Sequence, residues 1–179
     1  MTGRIKMKKN KTESLTAEKG LFTIALTLNG RPAEFRVKPN EFLLDALRAH
    51  GWKGTKKGCD TGDCGSCAVM FNGKPELACM IPAVTAHGSV VGTIEGVGTV
   101  DRPHPIQEAF VEAGGVQCGF CIPGMVISAK HLLENVPDPS EAEIKKALDG
   151  NLCRCTGYVK QIEAVKIASK KLRTRRASK

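Results

Sequence analysis

The 179-residue sequence is poor in aromatics, with one Trp, one Tyr and six Phe. That leaves material for modest cores rather than one large one. No run approaches the roughly 18 apolar residues of a membrane span, so no spanning helix is expected. No apolar segment follows the basic N-terminus and no twin-Arg pair stands near it. No secretory or twin-arginine leader is therefore expected, and the expected location is cytoplasmic. Basic residues are scarce where a nucleic-acid surface would need them. The net charge is +9, but residues 1–20 carry +4 and residues 160–179 carry +7, leaving −2 for residues 21–159. A nucleic-acid binder shows a basic stripe across the fold itself. The two ends therefore read as solvated tails, or as contacts for a partner protein.

Cysteine is what the sequence has in excess. Eight cysteines in a chain without an export signal point to metal or redox chemistry rather than to four disulfides, because the cytosol keeps thiols reduced.

The pattern around them divides the chain. Phe22, Ile24, Leu26 and Leu28 alternate with polar or small residues, Asn29-Gly30 follows, and Ala33, Phe35 and Val37 alternate again. This is a β-hairpin closed by a type I′ turn. Asn40 is an expected N-cap for a helix over Glu41–His50, with Leu43, Leu44 and Leu47 inward and Gly51 as its stop. A second hairpin turns at Asn72-Gly73, and Ser89–Glu95 reads as a last strand. Beyond a linker starting at Gly96 the character is helical. Helices are expected from Pro105 to Gly114, from Pro123 to Asn135, from Ser140 to Leu148 behind a Ser140/Glu143 capping box, and from Tyr158 to Leu172. The expected class is α+β, in two domains. A disordered basic tail occupies residues 1–20, a small mixed domain 21–96, an all-α domain 97–172, and a basic tail 173–179.

The first cysteine group is Cys59, Cys64, Cys67 and Cys79. Its C-x4-C-x2-C…C spacing is that of a plant-type 2Fe–2S ferredoxin. Gly58, Gly62 and Gly65 suit a tight loop that must bring three thiolates onto one small core. Zinc fits less well, since its ligands usually come in close pairs and Cys79 stands alone. Asp60 and Asp63 place negative charge in this loop and are expected to lower the cluster's potential. The second group is Cys118, Cys121, Cys153 and Cys155, C-x2-C and C-x-C, each pair ahead of a helix. Helix N-termini favour thiolates, but this spacing admits zinc and an iron–sulfur cluster alike. His50 and His87 fall in neither group and read as helix-end or surface residues, and Trp52 as loop packing.

Three longer motifs are more specific. They are Leu43-Leu44-Asp45-Ala46-Leu47-Arg48 with the Gly54–Cys67 loop; Val116-Gln117-Cys118-Gly119-Phe120-Cys121-Ile122-Pro123-Gly124; and Gly150-Asn151-Leu152-Cys153-Arg154-Cys155-Thr156-Gly157-Tyr158. Together they resemble the small iron–sulfur subunit of the molybdenum hydroxylases, the xanthine oxidase family, from about Phe22 to Ala168. The resemblance implies a β-grasp ferredoxin domain followed by a four-helix bundle. Each would hold one 2Fe–2S cluster, on Cys59, Cys64, Cys67 and Cys79 and on Cys118, Cys121, Cys153 and Cys155. It implies that Gln117 and Cys155 contact a molybdopterin cofactor. It also implies a large molybdenum subunit and a medium FAD subunit as partners, in a dimer of heterotrimers, with no substrate chemistry on this chain. Two other readings compete: a free-standing ferredoxin-like carrier, which would need only the first domain, and a zinc-stabilised adaptor with basic tails.

Overall fold

The structure is a computed structural model that describes residues 16–18 and 20–177. Two cores organise it. The first lies between a mixed sheet and one helix. The strands are β1 (Thr16–Glu18), β2 (Leu21–Leu28), β3 (Arg31–Val37), β4 (Ala68–Phe71), β5 (Lys74–Leu77) and β6 (Val90–Gly92). The helix is α1 (Leu43–Ala49). β2 pairs antiparallel with β3 from Phe22 to Leu28. Its other edge takes β1 near the start and runs parallel to β6 near the end. β4 then joins β6 to β5. The period-two burial of Ile24, Leu26 and Leu28 matches the alternation in the sequence. Both expected hairpin turns are present, with positive φ at Asn29 (50°) and Gly30 (80°) and at Asn72 (50°) and Gly73 (87°), as a type I′ turn requires. Leu43, Leu44, Ala46 and Leu47 of α1 close this core against the sheet.

The second core is helical: α2 (Pro105–Glu112), α3 (Ile122–Asn135), α4 (Glu141–Leu148) and α5 (Val159–Ala177). Ile106, Phe110, Met125, Leu133, Ile144 and Val165 are fully or almost fully buried among these helices. The Ser140/Glu143 capping box forms as expected. α2 has one too, with Ile106 N donating to His104 Nδ1 at 3.3 Å and His104 N to Gln107 Oε1 at 2.9 Å. The α+β class with a β-grasp half and a four-helix half is thus the fold.

Four boundaries differ from the sequence reading. Helix α1 starts at Leu43, with Phe42 before it in extended conformation, so Asn40 is not its N-cap. The reason is tertiary: Leu43 N donates to Ile81 O (2.8 Å) and Ala83 N to Glu41 O (2.8 Å), which holds residues 41–42 out of the helix. The strand expected over Ser89–Glu95 stops at Gly92. There the Asn29 side chain takes the Thr93 N–H (2.8 Å) and donates to Thr93 Oγ1 (3.0 Å), replacing a ladder partner. Part of the expected N-terminal tail, Thr16–Glu18, is a strand on β2. Residues 1–15 and 19 lie outside the described residues. At the other end α5 continues to Ala177 rather than Leu172. Its basic residues, though partly exposed, pin it to its neighbours. Lys166 meets Glu141 (2.8 Å), Lys171 meets Glu112 (2.6 Å), and Arg173 meets Asp138. Such exposed pairs each contribute modestly, but they use the charge that read as a tail. Among the described residues, no helix is long and apolar enough to cross a membrane.

Candidate metal centres

The first quartet grows out of the loop between α1 and β4. Arg48 of α1 holds this loop by donating to Thr55 O (2.9 Å) and Lys53 O (3.3 Å). Lys57 ties it to Asp45 of the same helix (2.9 Å) and to Asp60 within the loop (3.1 Å). The loop then turns through positive φ at Asp60 (63°), Gly62 (86°) and Gly65 (70°). This curl delivers Cys59 and Cys64 half-exposed and Cys67 buried against the sheet core, where the turn after β5 brings Cys79. The thiols meet two by two: Cys59 is within hydrogen-bond reach of Cys64, and Cys67 of Cys79. Hydrogen bonds from Thr61, then from Cys64, pull the Cys59 thiol down to about 6. Burial pushes Cys67 up to about 12.

The second quartet sits where α3 and α5 begin. Cys118 and Cys121 lead into α3, and Cys153 and Cys155 precede α5. Cys155 Sγ lies 3.5 Å from Cys118 Sγ at the surface. Cys121 and Cys153 pair beneath them. Burial, then the Cys153 thiol, raises Cys121 to about 12. Burial also acts upward on Cys153, but hydrogen bonds from Thr156 and Gln161 outweigh it and bring that thiol to about 6. The neighbouring Cys118 raises Cys155. Tyr158 fixes the approach: its backbone is left-handed (φ 69°), and its hydroxyl accepts from Cys153 N at 2.9 Å. A bulky residue adopts that conformation only where its surroundings hold it there.

The two quartets touch through backbone. Leu152 N, next to Cys153, donates to the carbonyl of Cys64 at 2.9 Å. Two glycines allow this approach. A Cβ on Gly65 would stand 2.1 Å from Gly150 O, and one on Gly124 would stand 2.3 Å from Gly65 O. Asn151 is buried beside them and donates to Ser128 Oγ at 3.0 Å.

The donor sets fit a 2Fe–2S cluster. Each iron of such a cluster takes two terminal thiolates, and each quartet presents two pairs of thiols.

Residues 26–84 match the family described as 2Fe-2S iron-sulfur cluster binding domain, and residues 93–166 match that described as [2Fe-2S] binding domain. The nicotinate dehydrogenase small FeS subunit of Eubacterium barkeri is 48% identical over 147 residues, 82% of this chain and 94% of that protein. The chain belongs to the small iron–sulfur subunits of the molybdenum hydroxylase family. Solved members share its shape. Quinoline 2-oxidoreductase from Pseudomonas putida 86 superposes with a TM-score of 0.83 at 39% identity, covering 87% of this chain and 98% of that one. Aldehyde oxidoreductase from Desulfovibrio gigas gives 0.81 at 39% identity over 86% of this chain. There the match is 17% of a much longer polypeptide. In some members, then, the iron–sulfur subunit is one part of a single large chain.

Within this iron–sulfur subunit the remaining candidates fall as follows. Gln117 is exposed, beside the exposed Cys118 and close in sequence to Phe120, which is 44% exposed. His50 stacks on Phe35 with ring centres 4.3 Å apart, and its Nδ1 lies 2.8 Å from Ala46 O. His87 Nδ1 accepts from Ala25 N at 3.2 Å. Both serve structure. Trp52 packs on the first core. The sequence reading missed Gln161, which faces the second quartet from the buried stripe of α5. The available signal was a lone amide in register with Ala164, Val165 and Ala168.

Proposed function

We propose that this chain is the electron relay of a multi-subunit molybdenum hydroxylase, with Cys118, Cys121, Cys153 and Cys155 binding one 2Fe–2S cluster and Cys59, Cys64, Cys67 and Cys79 the other. A 2Fe–2S cluster held on four thiolates accepts and passes on one electron at a time. The chain's own residues set where this happens. The helical half, residues 97–172, presents its quartet at the surface, and the ferredoxin-like half, residues 21–96, holds the other. The observation that carries the reading is the Leu152 N–H to Cys64 C=O hydrogen bond, which joins the two ligand loops directly.

The outward face of the second quartet supports an entry side. Cys118 and Cys155 are exposed together with Gln117, and Val116, Phe120 and Leu152 are 38%, 44% and 54% exposed around them. Exposed apolar side chains grouped about a polar centre suit a protein interface. In this reading a large partner subunit covers that face, and Gln117 and Cys155 hydrogen-bond the molybdopterin it carries. The first quartet delivers electrons to FAD on a medium subunit, in a dimer of heterotrimers working in the cytoplasm. Substrate chemistry belongs to the partner, and nucleic acid to neither. The helical half also disfavours a diffusing carrier, for which one ferredoxin domain is enough.

Affinity purification of the chain from its native cells tests this. A pterin-bearing large subunit is expected to co-purify, and substrate is expected to bleach the iron–sulfur absorbance of the complex. A chain that purifies alone with its metal fully loaded would refute the assignment.

A further inference from the structure

Helix α5 turns Ala164, Val165 and Ala168 into the helical core. Gln161 stands on the same stripe one turn earlier and is completely buried. A primary amide in such a place needs partners for its polar atoms. Its Nε2 lies 4.0 Å from Cys121 Sγ. The same side chain is within hydrogen-bond reach of Cys153. Its Oε1 has no donor. The amide is thus aimed donor-first at the two inner thiols of the second quartet, and its acceptor is left unused.

We propose that Gln161 is a positioning residue of the second cluster, whose amide N–H groups donate to the Cys121 and Cys153 sulfurs and hold that cluster at a higher reduction potential than the four cysteines alone would set. This rests on the reading that these cysteines bind a 2Fe–2S cluster. Reduction adds one electron from the preceding centre of the complex, and Gln161 neither gains nor loses a proton. The added charge spreads onto the sulfurs, so a hydrogen bond to sulfur is stronger in the reduced state. Because the donor is buried, water does not screen the effect. The opposite choice, an aliphatic side chain, would fill the stripe equally well and leave both sulfurs without this donor.

The test is an EPR-monitored redox titration of the native complex and of complexes carrying Gln161→Leu or Gln161→Met, with the first cluster's signal as internal reference. In Gln161→Leu the oxidised-to-reduced ratio of the second cluster at a fixed potential is expected to rise about tenfold, ~59 mV for one electron, while the first signal stays in place. Gln161→Met, close in shape but without an N–H donor, is expected to lower the potential by a similar amount. An unmoved second signal, or both signals moving together, overturns the assignment. If neither variant retains its cluster, the native donor is read directly by 15N ENDOR. The glutamine side-chain amides are labelled in a Gln117→Ala background, which removes the other amide beside the quartet. A 15N coupling on the second signal supports the proposal, and its absence overturns it. A native complex with no second 2Fe–2S signal overturns the cluster reading itself. A native second signal that ignores Gln161 overturns this inference alone.

Discussion

Substituting Gly65 by Ala probes the contact that joins the two halves. The new Cβ would lie 2.1 Å from Gly150 O and 2.9 Å from both Asn151 Cα and Asn151 Oδ1, at a backbone φ of +70°. Carbon and oxygen approach without strain at about 3.3 Å, so the loops must part by about 1 Å. That carries the Leu152 N to Cys64 O separation from 2.9 Å to roughly 3.9 Å, beyond hydrogen-bond range. The left-handed conformation costs an alanine ~1–2 kcal/mol. The lost hydrogen bond adds ~0.5–1.5 kcal/mol and the forced repacking ~1–3 kcal/mol. The expected destabilisation is about 3–6 kcal/mol. Gly73→Ala is the control: it has φ +87° but nothing within 4 Å of its Cβ, so only the conformational part remains, ~1–2 kcal/mol. Denaturant unfolding followed by the visible circular dichroism of the clusters gives the two differences. The magnetic coupling between the two reduced clusters, read by EPR, reports whether they have moved apart. Gly65→Ala should lose stability well beyond the control and weaken the coupling. Equal losses in the two variants, with the coupling intact, would refute the tight junction.

Three further outcomes are expected. Asp63→Asn should raise the first cluster's potential more than Asp60→Asn does in a redox titration, because Lys57 offsets the Asp60 charge at 3.1 Å while the Asp63 carboxylate accepts from the neutral Thr61 hydroxyl; an equal or inverted order would count against it. The His104 side chain caps α2 through an unprotonated Nδ1, and burial, then the Lys130 charge, lowers its pKa below the ordinary 6.5. Its contribution is therefore complete above pH 6.5 and fades as pH falls through the lowered folded value; a cap of about 1 kcal/mol should make the stability gap between the native protein and His104→Asn shrink or reverse from pH 8 to pH 5, and a constant gap would contradict this. Tyr158→Phe removes the hydroxyl that accepts from Cys153 N and should destabilise by about 1–2 kcal/mol in denaturant, with the second cluster's EPR signal broadened and the first one's unchanged.

Much of this was legible in the sequence because it is local. Asn-Gly turns, alternating strands, Pro105 and the Ser140 box each act over a few residues, and each element stands where its signal lies. Elements bounded by distant partners were not legible. Helix α1 is held back by the backbone of residues 81–83, and the Ser89–Glu95 strand is cut short by the Asn29 side chain. Nothing in the local pattern of either segment carries that information. The C-terminal charge misled for the same reason, since its partners are distant in sequence: Glu112 and Glu141 come from other helices and Asp138 from the loop between α3 and α4. The cysteine spacing divided the eight cysteines into two quartets, and the structure pairs the thiols within each. That the two quartets meet at Gly65, Gly124 and Gly150 emerges only in three dimensions.

The most direct test of the whole account is EPR of the dithionite-reduced complex together with its iron, zinc and molybdenum content. Two distinct rhombic 2Fe–2S signals are expected, with about four iron atoms per copy of this chain and no zinc, as two clusters of this type require. Cys64→Ser and Cys121→Ser should each abolish or alter one signal and spare the other. A single signal, or a colourless chain holding zinc, would contradict the account.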